Sequence, residues 1–422
     1  MISLILFGGF ALFLAIGLPV AFGIAIASLL AIWYNGLPMA LFGQRLFTSV
    51  DSFPLMAIPL FMLAGALMGH GGITTRIISF ALSIFGNIRG SLAQVVSASG
   101  IVMGGVSGSG VADVAALGSV MIPEMKKRKY DAAFSGALVA CSGSLALILP
   151  PSIAIIIYGV SAQASIGDMF MAAIAPGLMI GIGFQIYAYI YARKKGYPRE
   201  GGVSNAEKWR RFKDASWSLM MPVIIIGGIR MGIFTPTEGG AVVAVYAFVV
   251  GMFVYKEITL KKIPQICMEA AIGTAVVAAI IAATSLFGWL LTSAQLPQAI
   301  AAAILALTDN PILLLLLINV MLLIIGMFID SGPAILLMTP ILLPVANQIG
   351  VDPVQFGLIM VINLTIGLLT PPVGTALYIA SSISGVTIMR LTRAMLPFWC
   401  ILIFVLMLVT YWPGFTSWAI SK

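Results

Sequence analysis

Residues 144–159 read SLALILPPSIAIIIYG, and residues 365–380 read TIGLLTPPVGTALYIA. Each is an apolar run interrupted at its middle by a proline doublet. Proline removes a backbone donor and leaves a carbonyl one turn earlier without its partner, so a doublet breaks a helix. A break at membrane depth must face protein or water, because lipid cannot satisfy the freed backbone groups. The doublets Pro150-Pro151 and Pro371-Pro372 lie 221 positions apart (371 − 150). Pro123 and Pro344 repeat the interval (344 − 123), and at the same offset Ser109 falls opposite Asp330. The chain is built twice on one plan.

Working outward, further apolar stretches occupy 2–33, 41–69, 131–165, 168–192, 216–234, 237–255, 264–292, 354–387 and 394–413. Residues 91–122 and 311–349 are also apolar but broken in the middle, by Gly104, Gly105, Ser107, Gly108, Ser109 and Gly110 in one and by Asp330, Ser331, Gly332 and Pro333 in the other. Both read as re-entrant hairpins. Arg89 and the cluster Lys126, Lys127, Arg128, Lys129 flank the first, whereas Asp309 and Asp352 flank the second. Positive residues mark cytoplasmic ends, so the hairpins enter from opposite faces. The expected fold is an all-α polytopic membrane protein of two inverted-topology repeats, each with a re-entrant hairpin and a broken helix. The first repeat spans 1–192 (hairpin 91–122, broken helix 131–165) and the second 237–422 (hairpin 311–349, broken helix 354–387). A basic cytoplasmic loop and a connecting span, 193–236, join them. Paired broken helices in inverted halves point to a transporter's binding site rather than to an ordinary kinked bundle.

Composition agrees. Of 422 residues, 61% are hydrophobic and 9% charged, and mean hydropathy is +1.11. Soluble domains carry about 25% charged residues, which they need to cover their surface. The net charge of +8 sits in loop clusters, and no soluble domain exists to use it on nucleic acid. Cys141, Cys267 and Cys400 lie in or beside apolar runs and form no paired-cysteine motif, and the lone His70 excludes a multi-histidine metal site. Residues 2–33 are too long for a cleaved signal peptide and read as a retained first span.

The candidate chemistry lies at the breaks. Ser107 and Ser109 offer hydroxyls at the first hairpin tip, and Asp113 begins the returning arm. Asp330 ends an apolar run with no basic residue near it in sequence. A carboxylate at membrane depth is costly and marks function, here a cation site, although Asp113 also suits a helix N-terminus. The first break contributes Cys141, Ser142, Gly143 and Ser144 ahead of Pro150, Pro151 and Ser152; the second contributes Asn363, Thr365, Gly367 and Thr370 around Pro371 and Pro372, then Gly374 and Thr375. Freed carbonyls suit a cation, and the half-helix after each break presents a positive end to an anion. Asp51 and Glu238 read as caps or interfacial residues, Asp168, Asp214 and Glu269 as solvated or interfacial, and His70 as solvent-facing. Segments 73–87 and 297–308 read as interfacial helices tethering a moving part to a fixed one. Trp33, Trp209, Trp217, Trp412 and Trp418 fit an aromatic belt.

The stretches SGSGVADVAALGSVMIPEMKKRKYD, LPPSIAIIIYGVSAQASIGDMFMAAIAPG, PVIIIGGIRMGIFTPTEGGAVVAVYAFVVG, GMFIDSGPAILLMTPILLP and LTPPVGTALYIAS resemble the large membrane subunit of tripartite ATP-independent periplasmic (TRAP) transporters, across essentially the whole chain. The resemblance implies sodium-coupled uptake of a small organic acid, sialic acid or a C4-dicarboxylate-like carboxylate, across the bacterial inner membrane by an elevator mechanism. It implies at least two sodium ions and no organic cofactor. One site is expected at Ser107, Ser109, Asp113, Cys141 and Gly143, the other at Gly326, Asp330, Asn363, Thr365, Gly367 and Thr370. Substrate would meet Ser107, Gly108, Ser144, Pro150, Pro151, Ser152, Thr370, Pro371, Pro372, Gly374 and Thr375. The expected partners are a small four-helix (Q-type) membrane subunit, as a separate chain because this one begins at the large subunit's first span, and a periplasmic binding (P-type) protein. The competing readings are a passive channel, an ion-coupled anion transporter that needs no binding protein, and an intramembrane enzyme. An enzyme is disfavoured because the sequence holds neither HExxH nor GxSxG.

Overall fold

The computed structural model describes residues 2–305 and 310–418, and these form helices without strands. Seven helices are long and apolar enough to cross a bilayer: Phe53–His70, Ile166–Lys195, Asn205–Arg230, Pro236–Val254, Ile263–Ser293, Pro311–Phe328 and Ile388–Tyr411. Pro311–Phe328 is one arm of a hairpin and not an independent span.

The first hairpin pairs Ser91–Ser107 with Gly110–Lys127, and the second pairs Pro311–Phe328 with Ser331–Gln348. Their bounds keep the 221-residue offset at three points (328 − 107, 331 − 110, 348 − 127). The broken helices follow. Ala132–Ser144 tightens into a 3-10 turn, Leu145–Leu147, before the break and resumes as Ile153–Ala162. Pro353–Leu368 breaks and resumes as Thr375–Ser384. Their first turns are capped at equivalent positions: Asp131 accepts from the Phe134 amide, and Asp352 from the Val354 and Gln355 amides. An aspartate cap is worth about 1 kcal/mol to a helix start. Both doublets, Pro150-Pro151 and Pro371-Pro372, have cis peptide bonds.

Parity makes the halves inverted. Between the hairpins the chain crosses by the first broken helix and then by Ile166–Lys195, Asn205–Arg230, Pro236–Val254 and Ile263–Ser293. Five crossings are odd, so the second hairpin enters from the opposite face.

The helices form two packed groups. Ala57–His70 lies against Pro236–Val249 and Ile263–Ser293, and Val20–Tyr34 against Ile263–Ser293. The hairpins and broken helices pack with Ile166–Lys195 and Ile388–Tyr411. Ile73–Phe85 links the groups in the first half and Leu296–Leu305 in the second. The expected interfacial segment 297–308 therefore begins as a helix; its last residues, and Asp309, lie outside the described residues.

Several boundaries differ from expectation. Residues 2–33 are not one span: Leu4–Ala15 and Val20–Tyr34 are separate helices, because Gly17 takes φ +84° and Pro19 follows. Residues 41–69 divide at Asp51-Ser52 into Ala40–Val50, which has no fully buried residue, and the span Phe53–His70. The basic loop after 193 is short, since Ser204 caps Glu207 and starts Asn205–Arg230 among the charges. The first hairpin runs past 122 to Lys127, because Met125 is fully buried and extends the arm beyond Pro123. The second hairpin ends at Gln348 rather than 349, and the broken helices run 132–162 and 353–384.

Candidate functional site

In the first half the hairpin tip docks on the break. Gly108, at φ +68°, accepts from the Ile153 amide at 3.3 Å, and a side chain there would meet the Pro151 carbonyl oxygen at 2.7 Å. Only glycine combines that backbone conformation with that approach. Gly143 is pressed on Val114, where an added Cβ would lie 2.7 Å from the Val114 amide nitrogen. Ser142 is held as closely against Gly100. Hairpin and broken helix therefore touch backbone to backbone.

The second half repeats the contact. The Val373 amide donates to the Met327 carbonyl at 3.1 Å, and Gly326 packs on Gly367 with no room for a Cβ on the latter. Gly374 turns the chain before Thr375–Ser384. Beyond each break the half-helix crosses to the other half: Thr375–Ser384 packs on Gly110–Lys127, and Ile153–Ala162 on Ser331–Gln348. This exchange interlocks the two halves and gathers both breaks into one core.

Four buried oxygens have no hydrogen-bond partner among the described residues and lie at this core: Asp113 Oδ2, Ser142 Oγ, Asn363 Oδ1 and Thr375 Oγ1. Ser142 and Asn363 are themselves 221 positions apart (363 − 142). An unsatisfied buried oxygen costs about 1–3 kcal/mol, which makes these four atoms candidate ligands for another group. Asn363 is held by its amide, which donates to Asn319 Oδ1 at 2.6 Å and to the Ile359 carbonyl at 2.8 Å. Asn319 in turn donates to Thr410 Oγ1 at 3.2 Å. The carbonyl end of Asn363 is thereby fixed and left free.

Asp113 is 3% exposed and lines a cavity of about 350 Å³ between the two helix groups. Ser107 and Ser109 line it from the hairpin; His70, Gly65 and Glu269 line it from the opposite group. His70 Nε2 and Glu269 Oε2 are 2.8 Å apart. Sequence reasoning missed this pair, since 199 positions separate its members and nothing local joins them.

Other expected site residues divide by what already binds them. The Ser144 hydroxyl donates to the Cys141 carbonyl at 2.8 Å, Thr365 donates to Val361 at 2.8 Å, and Thr370 to Ile366 at 2.7 Å. Ser152 caps the resumed helix by accepting from Ile155 and donates to the Leu147 carbonyl, so its hydroxyl bridges the break. Cys141 is fully buried, as are Pro150 and Pro151. Asp330 caps the returning arm of the second hairpin by accepting from the Ser331 amide at 2.8 Å. Asp330 keeps accessible surface at the mouth of the second break, as do Pro372 and Val373, while the protein packed around its carboxyl desolvates it. Pro371 is half-buried at the mouth of that break. The first break is closed by protein, and the second is open.

Comparison with known proteins agrees with this architecture. Residues 7–415 match the model of the tripartite ATP-independent periplasmic transporter DctM component. The chain is 44% identical over 412 residues to the isethionate TRAP transporter permease DctMQ of Oleidesulfovibrio alaskensis, covering 97% of this chain and 65% of that longer protein. It is 42% identical to the sialic acid TRAP transporter large permease SiaM of Vibrio cholerae, with 97% of this chain and 96% of the relative covered. Against the C4-dicarboxylate TRAP transporter large permease DctM of Pseudomonas aeruginosa the identity is 40%, over 88% of this chain and 87% of the relative. These relatives are permeases and not enzymes. Among solved structures, the Alcanivorax borkumensis YdaH transporter shares the fold, with a TM-score of 0.62 at 16% identity over 88% of this chain and 89% of that one. The chain is thus an inner-membrane permease belonging to the DctM-component family of tripartite ATP-independent periplasmic transporters.

Proposed function

We propose that this permease takes up a small organic anion by sodium-coupled secondary transport, moving its hairpins and broken helices as an elevator against the remaining helices. The observation that carries the proposal is the pair of unsatisfied buried oxygens at equivalent positions, Ser142 in one half and Asn363 in the other, each with a second such oxygen in its half, Asp113 and Thr375. Oxygen donors beside broken helices suit a hard monovalent ion, with freed carbonyls completing its shell. The half-helices Ile153–Ala162 and Thr375–Ser384 begin at the breaks, and helix N-termini favour an anion without a buried cation. The cavity between the two helix groups supports relative motion, since that boundary is not filled.

The substrates in the relatives' names are isethionate, sialic acid and C4-dicarboxylate, all small organic anions. A carboxylate such as sialic acid or a C4-dicarboxylate, or a small sulfonate, is the proposed cargo. A periplasmic binding protein would deliver it, and a small Q-type membrane subunit would accompany the permease, as the name DctMQ suggests. The test is uptake of labelled isethionate, sialic acid and succinate into proteoliposomes, with and without a sodium gradient, binding protein and small subunit. Uptake of one of these acids that requires all three is expected. Undiminished uptake when potassium replaces sodium would refute coupling, and flux without a binding protein would favour a channel.

A further inference from the structure

A second site lies away from the transport core. A cleft of about 800 Å³ opens at the cytoplasmic end of Ile166–Lys195, and Arg89, Arg193 and Arg199 line it with Gln94, Gln185 and Tyr189. None of the three arginines forms an ion pair among the described residues. Arg199 is held in place, because its neighbours are tied to the base of the first hairpin: the Pro198 carbonyl accepts from Gly90, and the Glu200 amide donates to Gly86. Gln94 donates to the Gln185 carbonyl at 3.1 Å and joins hairpin to helix beneath the cleft.

The cleft does not end in water. Ile182 and Ile186 line it and also line an adjoining groove of about 610 Å³ between Ile166–Lys195 and Ile388–Tyr411. That groove is lined by Leu178, Gly183, Ile401 and Phe404 as well, and every lining side chain is apolar or a cysteine. Ile182 and Ile186 are about half exposed, at 50% and 56%. Three unpaired guanidinium groups at the cytoplasmic boundary, continuous with an apolar channel towards the membrane interior, match an amphiphile with an anionic head and an acyl tail. Basic pockets between membrane helices on the cytoplasmic side recognise anionic lipid headgroups.

We infer that Arg89, Arg193 and Arg199, with the groove at Ile182 and Ile186, form a binding site for an anionic phospholipid of the cytoplasmic leaflet. The phosphate sits among the guanidiniums, which bind it by forked hydrogen bonds. One acyl chain lies along the groove. The site bridges the hairpin base and two membrane helices, so bound lipid braces their junction.

The test uses the purified full chain in mild detergent, with native mass spectrometry and thermal unfolding after addition of phosphatidylglycerol, phosphatidylethanolamine or water-soluble glycerol 3-phosphate. Phosphatidylglycerol should bind at least tenfold more tightly than phosphatidylethanolamine and raise the unfolding midpoint. The R89Q/R193Q/R199Q variant should lose that preference, and R89K/R193K/R199K should keep part of it. The I182S/I186S variant should weaken phosphatidylglycerol binding with the arginines intact. Equal binding of the two lipids, or an unchanged preference in the glutamine variant, would overturn the inference. Stabilisation by glycerol 3-phosphate equal to that by phosphatidylglycerol would also overturn it, by showing a phosphate site without a lipid. If the triple glutamine variant does not elute as one species, the three single variants carry the same comparison.

Discussion

Ser142 and Asn363 occupy the same position in the two repeats, and each leaves a buried oxygen unsatisfied. The side chains differ, but the accepting atom recurs, and that is what a cation would select. A hydrogen bond or equivalent contact to a charged partner is worth about 1.5–3 kcal/mol, which is about tenfold or more in binding. S142A and N363A are therefore expected to raise the half-saturating sodium concentration for uptake by about tenfold each. D113N should do so more strongly, because it also removes the neutralising charge. Initial uptake rates measured across a sodium titration check this, and unchanged sodium dependence in all three variants would remove these residues from the site. Residue types single out the breaks and Asp113 as candidates, and the structure buries that carboxylate beside a cavity at the first hairpin tip. Ser142 stood in the break but was passed over for Cys141 and Gly143, although its 221-residue offset from Asn363 was visible. The accessible surface that Asp330 keeps is not legible in neighbouring sequence, because it depends on how far the second tip closes over Pro371-Pro372.

At the scale of elements, the proposed elevator would move at the cavity between the two helix groups. Gly65, in the span Phe53–His70, faces the tip of the first hairpin, and a Cβ built there would lie 3.3 Å from the Ser107 carbonyl oxygen and 4.0 Å from its Cα. Two cysteines so placed are within reach of a disulfide, which needs Cα atoms about 4.4–6.8 Å apart. In a background with Cys141, Cys267 and Cys400 replaced by serine, G65C/S107C should cross-link on oxidation. Cross-linking should abolish the uptake that remains, and reduction should restore it. Each single variant, treated with the same oxidant, separates arrest from damage at Ser107; uptake that continues through a completed cross-link would exclude motion at this boundary. The elements themselves were largely readable, since hairpins and breaks carry Gly and Pro at fixed offsets. Errors arose where an apolar run continued across a turn. Gly17 and Pro19 divide the first stretch, and Asp51-Ser52 the second, but hydropathy averages over both interruptions. The helix start at Asn205 was hidden for the opposite reason: Lys208, Arg210, Arg211 and Lys213 look like a loop, yet Glu207 accepts from Arg210 and Arg211 on one helical face.

For the whole molecule, charge and parity determine one orientation. Lys126–Lys129, Arg193–Lys195, Lys256–Lys262 and Arg390–Arg393 all fall on the face from which the first hairpin enters, whereas Arg45 and Arg230 stand apart on the other. That face is also stitched together: Arg390 pairs with Asp131 at 2.9 Å, Arg128 with Glu200 at 2.9 Å, and Lys126 donates to the Ser384 carbonyl at 2.6 Å. These partly solvated contacts each contribute about 1 kcal/mol, so orientation is set by the cost of translocating the clusters rather than by the bridges. Single cysteines placed at Lys195 and Gly350, in the cysteine-free background, test the arrangement. Lys195 ends a span on the basic face, and Gly350 turns the chain between the second hairpin and the second broken helix on the other. An impermeant thiol reagent should label K195C only in inside-out vesicles and G350C only in right-side-out vesicles. Labelling of both from one side would require an even number of crossings between them. It would place both hairpins on the same face, and the two repeats would no longer be inverted.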